Sequence, residues 1–207
     1  MPLDPHLLAA FLVAAWVLIL TPGPDMLFVI GQTLAGGARR GWAAMFGIVT
    51  GAMVHIALAA SGIAALLAAS PATFDALRLA GALYLLWLAF GALRAALKGG
   101  AQLRPAAPTR AAFRDGFVTN LTNPKVILFF LAFLPQFVDP GRAPAWLQMA
   151  ILGPLVPLMA LPFYGLVIAT ADRAAARLQR FARWLDGLAG LLFLALGLRL
   201  LFGGRPA

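Results

Sequence analysis

The chain has no cysteine and no glutamate, only two histidines, and few charges of either sign. Each absence excludes something. Without cysteine there are no disulfides, thiolate metal sites or thiol nucleophiles. Seven aspartates with His6 and His55 form the whole acid and imidazole inventory. That is too thin for most metal-dependent or general acid–base chemistry, and no nucleophile–base or metal-ligand spacing is present. No metal and no cofactor is therefore expected. Charged residues make up 11% of the 207 positions, where an ordinary soluble domain carries about 25%.

What is present is apolar. Hydrophobic residues reach 62%, and mean hydropathy is +0.91. A bilayer-spanning helix uses roughly 20 mostly apolar residues. Six such segments are read at about 7–30, 43–67, 77–95, 116–138, 145–170 and 185–202. None alternates polar and apolar as a barrel strand would. No polar stretch is long enough for a separate catalytic domain. No Lys or Arg precedes the first apolar run, which is too long for a signal peptide, so it is read as a retained span.

The net charge of +9 does not describe a nucleic-acid surface, because the basic residues lie between apolar segments rather than on a polar face. They also sort by loop. Arg39 and Arg40 flank the first loop, Arg94, Lys98, Arg104, Arg110 and Arg114 the third, and Arg173, Arg177, Arg180 and Arg183 the fifth. The other side holds Arg78, Arg142, Arg199 and Arg205. Positive residues favour the cytoplasmic side. Both termini are thus expected outside the cytoplasm. Trp42, Trp146 and Trp184 open segments as interfacial anchors do. Gly47 and Gly51 form a GxxxG pair suited to close helix packing, with His55 one turn beyond.

The two halves resemble each other. TPGPDMLF (21–28) and TNPKVILF (122–129) each set a proline before a charge inside an apolar segment, and Pro24-Asp25 and Pro124-Lys125 stand one hundred positions apart. GALYLLWLAFG (81–91) resembles GLAGLLFLALG (187–197) at an offset of 106. Three helices per half would bring the second copy into the membrane from the opposite side. The expected fold is an all-α polytopic membrane protein with six transmembrane helices in two inverted three-helix repeats. The first helix of each half is broken, at Pro22, Gly23 and Pro24 and at Pro124. The repeats cover 1–97 and 116–207, joined by a basic, Gly- and Pro-containing cytoplasmic linker at 98–115.

Paired Pro-interrupted segments point to a mid-membrane substrate site, since proline frees backbone groups that cannot face lipid. Asp25 and Lys125 are the clearest intramembrane charges and each costs about 2.5–3.5 kcal/mol at a helix centre, so both should face inward. Two readings stay open. They could form an ion pair that holds the halves together. Alternatively they bind a zwitterion, Asp25 taking the ammonium and Lys125 with a half-helix N-terminus the carboxylate. Asn120, Thr122 and Asn123 beside Lys125, and Thr21 beside Asp25, add neutral hydrogen-bonding groups. Asp25 is the first candidate proton carrier and His55 the second.

TPGPDML (21–27), GIVTGAMVH (47–55), YLLWLAFGALR (84–94) and FRDGFVTNLTNPKVILFFLAFLPQF (113–137) resemble the lysine-exporter (LysE/RhtB) amino-acid translocators. The resemblance covers nearly the whole chain. It implies a bacterial inner-membrane exporter of amino acids or close derivatives, driven by the proton gradient and often dimeric. Pro22, Gly23 and Pro24 match the first family motif, with Asp25 beside it, and Asn123, Pro124 and Lys125 match the second. A transporter of another small solute on this scaffold, or a non-transporting membrane scaffold, are the alternatives.

Overall fold

A computed structural model of the chain describes residues 2–63, 71–98 and 111–202. Every regular element among them is helical. The central part of the expected linker, residues 99–110, lies outside them, as do Arg104, Arg110 and Arg205.

Helix α1, Pro5–Leu20, is capped at its start by Asp4, whose carboxylate accepts from the amides of His6 (2.8 Å) and Leu7 (3.0 Å). It stops where Thr21 turns extended, one residue before Pro22. Proline has no N–H to carry the ladder on. Helix α2, Pro24–Leu58, starts at the next proline, a favoured first helical position. It runs on into a π-helical turn at Ala59–Ile63. Helices α3 (Pro71–Leu97) and α4 (Ala112–Leu121) follow. The short α5, Pro124–Leu128, continues through a π-helical turn at Phe129–Phe133 and a 3-10 turn at Leu134–Phe137. Helices α6 (Ala145–Ala169) and α7 (Ala171–Phe202) complete the chain.

Among the described residues, two helical stretches are long and apolar enough to cross a membrane, Pro24–Gly62 and Ala145–Ala169. A third is added if the pair Ala112–Leu121 and Pro124–Phe137, bent by 51°, forms one span. Pro5–Leu20 is apolar but shorter.

Within Pro24–Leu58 two helices meet across a kink at Gly36 and Gly37, both non-helical, so the chain turns there and Arg39 and Arg40 flank that turn. Gly37 has φ 73°, a left-handed conformation open to glycine at little cost.

Helix α2 packs chiefly on α4 and α6, and α3 chiefly on α7. The α2–α4 approach is close: a Cβ at Gly47 would run into the carbonyl oxygen of Phe113, and one at Gly116 into that of Ala44. Phe11 of α1 meets Phe129 and Phe137 at ring-centroid distances of 6.1 and 5.3 Å, with Phe133 between those two, tilted to Phe129 and edge-on to Phe137. This apolar wedge holds α1 against the segment after Pro124. At one end of the molecule Arg142 bridges Asp4 (2.8 Å) and Asp139 (3.2 Å). The fully buried Gln148 pins the same loop, donating to the carbonyls of Asp139 (2.7 Å) and Ala143 (2.6 Å) and accepting from the Asp139 amide (3.1 Å).

Candidate functional site

The two proline breaks meet. Asp25 lies in the first turn of α2, where a carboxylate suits the positive end of the helix dipole. It is buried, and its Oδ2 accepts from Asn120 Nδ2 at 2.8 Å. Asn120 is in the last turn of α4, just before the second break. One residue of each break is thus hydrogen-bonded to the other.

Lys125 does not pair with Asp25. Its ammonium donates to the backbone carbonyls of Leu18 (3.0 Å) and Thr21 (2.9 Å), at the C-terminal end of α1. Asn123 caps α5, its Oδ1 accepting from the Lys125 amide at 3.1 Å. His55 comes from the last turn of α2: its Nε2 lies 3.4 Å from the Asn120 carbonyl oxygen, and its ring stacks on Phe130 with centroids 6.4 Å apart. Pro124 stands four residues after Asn120, so that carbonyl has no helical donor from its usual partner. The Asn123 amide reaches it at 3.0 Å.

Asp25, Asn120 and Lys125 line one cavity with Tyr164 of α6 and a wall of apolar side chains, among them Ile48, Val126 and Phe130. Its volume is about 50 Å³. Ligand pockets run to about 300–1,000 Å³, so this space suits a few waters and not an amino acid. Four buried polar atoms at or beside it have no hydrogen-bond partner: Asp25 Oδ1, Asn120 Oδ1, Asn123 Nδ2 and His55 Nδ1. A cavity of this size has room for water at its few polar groups.

The remaining residues divide. Thr21 contributes its backbone carbonyl, while its hydroxyl turns back to the Val17 carbonyl oxygen (2.6 Å). Thr122 is exposed and its hydroxyl bonds the Val118 carbonyl oxygen (2.8 Å), away from the cavity. Gly51 backs onto Asn120, where a Cβ would lie 2.9 Å from Oδ1 and 3.0 Å from Cβ. Tyr164 was not apparent from the sequence. It sits in a Pro-rich apolar helix with no charge beside it to mark it. Arg39, Arg40 and Arg114 line a separate, wider opening of about 610 Å³ beside the Gly36 kink.

Apolar helices that pack around a buried polar centre define a membrane protein. The comparisons then narrow its kind. The LysE type translocator family matches residues 16–204, and the chain belongs to that family. It is 33% identical to a leucine efflux protein of Enterobacter sp. (strain 638) over 195 residues, 92% of each chain. A leucine efflux protein of Klebsiella pneumoniae is 32% identical over the same share. An uncharacterized membrane protein of Pseudomonas aeruginosa is 37% identical over 194 residues, 88% of each chain. No solved structure matches the chain. At the level of the family, this is a translocator for amino-acid export, which is not an enzyme class.

Proposed function

We propose that the chain exports amino acids, or close derivatives, across the bacterial inner membrane in exchange for protons, at a site between the two broken helices. The observation that carries this reading is the meeting of Asp25, Asn120 and Lys125, from breaks a hundred residues apart, at one cavity. Six spans in two inverted three-helix repeats, 1–97 and 116–207 joined by 98–115, accommodate that meeting. Helix α1 has 16 residues, about 24 Å at the helical rise, and α4 has 10, about 15 Å. Neither fills a hydrocarbon core of about 30 Å by itself. Each is completed by the helix after its proline. The Asp4–Arg142 pair supports placing the start of the chain and the loop before α6 on one side, which the positive-residue bias makes the outside.

In this reading Asp25 holds the substrate ammonium and exchanges protons, with His55 second in that role. Lys125 and the amide end of α5 take the carboxylate, and Asn120 and Asn123 orient the zwitterion. The apolar wall suits an uncharged aliphatic side chain, and the leucine efflux relatives make leucine the first substrate to test. With only about 50 Å³ open, the structure corresponds to a contracted state that must widen to load substrate.

Purified protein in liposomes should move labelled leucine down an imposed pH gradient, and Asp25→Asn should abolish that flux while still inserting. Flux that persists when the gradient is collapsed rejects proton exchange. Wild-type activity in Asp25→Asn rejects the site. Absence of flux for every amino acid tried points to another solute or to a scaffold.

A further inference from the structure

We propose that the carbonyl end of α1 is a monovalent-cation site that the chain fills with its own ammonium group, Lys125. Four features of the two motifs point the same way.

Pro22 removes the N–H that would have bonded the Leu18 carbonyl four residues earlier. Thr21 is already extended, with ψ 119°, and its carbonyl leaves the helical direction. Two oxygens at the negative end of a helix dipole are thereby aimed at one point. In broken-helix transporters, carbonyls of this kind coordinate small cations. Here Nζ of Lys125 occupies that point, 3.0 and 2.9 Å from the two oxygens.

Gly23 makes the room. Its φ of −168° is extended backbone that any residue adopts, so conformation does not require glycine there. Close approach favours it: a Cβ at Gly23 would stand 3.2 Å from Nζ and 3.5 Å from Cε of Lys125, so the ammonium would have to give way. The Pro22–Gly23–Pro24 motif then has one physical account. The first proline frees an oxygen, the glycine admits the ammonium, and the second proline starts α2.

Lys125 belongs to the five-residue α5, and its ammonium finds its acceptors on α1 instead. Asp25 faces the same cavity but makes no direct ion pair with Lys125, its Oδ2 accepting from Asn120. The tethered ammonium does what a bound sodium ion would do elsewhere, and the folded site needs no cation from solution.

This inference rests on the broken-helix reading of the transport site, but melting in detergent reads it without transport. At constant ionic strength, the wild-type protein should melt at the same temperature in choline, sodium and methylammonium chloride. Lys125→Ala should melt lower by about 5 °C or more in choline, because two part-buried carbonyls lose a charged donor. At least half of that loss should return in methylammonium or sodium. The same melting temperature for Lys125→Ala in all three salts overturns the cation site, as does a melting temperature equal to wild type.

If Lys125→Ala does not fold, Gly23→Ala and Lys125→Met provide a second test. Gly23→Ala should lower melting in the wild-type background and leave it unchanged on Lys125→Met. An equal effect in both backgrounds refutes the idea that glycine clears space for the ammonium. Failure of leucine flux, by contrast, bears on the transport reading and leaves these melting results as they stand.

Discussion

Gly51→Ala tests the α2–α4 contact and the site at once. Helix propensity alone favours the change, since glycine in a helix interior is about 1 kcal/mol worse than alanine. The surroundings oppose it. The new Cβ would lie 2.9 Å from Asn120 Oδ1, 3.0 Å from Asn120 Cβ and 3.1 Å from the Phe117 carbonyl oxygen. The last is helix backbone and yields only if α4 moves. Overpacking of this kind costs about 1–3 kcal/mol. Displacing Asn120 also strains its 2.8 Å bond to Asp25, and a hydrogen bond to a charged group contributes about 1.5–3 kcal/mol. With mid-range values the net loss is about 3 kcal/mol, or roughly 6–12 °C in melting temperature for a chain of this size. The assay is thermal unfolding in detergent, with leucine flux in liposomes as the second readout. Gly91→Ala is the control, because nothing lies within 4 Å of its Cβ position, and it should melt at or slightly above the wild-type temperature. A Gly51→Ala protein as stable and as active as wild type would refute both the packing and the link to Asn120.

Tyr164→Phe should keep the fold and reduce leucine flux, since it removes the one hydroxyl that α6 brings to the cavity; unchanged affinity and rate would remove Tyr164 from the site. Gln148→Leu should destabilise the protein by roughly 2–4 kcal/mol, because a fully buried side chain loses three hydrogen bonds to the loop at Asp139–Ala143, which denaturation in detergent would read. The amide of Leu7, followed by that of His6 and the Arg142 charge, holds the Asp4 carboxyl below its usual value. A lowered carboxyl stabilises the fold above its unfolded value and loses that contribution as pH falls through the folded one. Asp4→Asn should therefore narrow its stability difference from wild type as the pH drops below the ordinary aspartate range; a constant difference across that range would contradict the cap.

Much of this fold is legible locally. Proline 22, 24 and 124 stop or start helices through the chemistry of their own backbone, so both breaks fall where the motifs stand. Gly47 and Gly51 could be read as a packing face from spacing alone. The first connection is legible as a break between apolar segments beside Arg39 and Arg40, but its length is not: two glycines suffice to turn the chain. Tyr164 was silent for a similar reason: a single tyrosine in an apolar helix carries no signal of what it faces.

By itself, the sequence determined an apolar helical membrane chain, its two proline breaks and the pair of charges beside them. Composition sets the solvent a helix can tolerate, and proline acts on its own turn, so both are local properties. Only the tertiary structure decided the partners. The ammonium of Lys125 goes to the end of α1 and the carboxylate of Asp25 to Asn120, although the two charges invite a direct pair. The reason is geometric: the carbonyls that Pro22 and the extended Thr21 leave free must be bonded somewhere. The nearest strong donor belongs to a residue more than a hundred positions away, and folding alone brings it there.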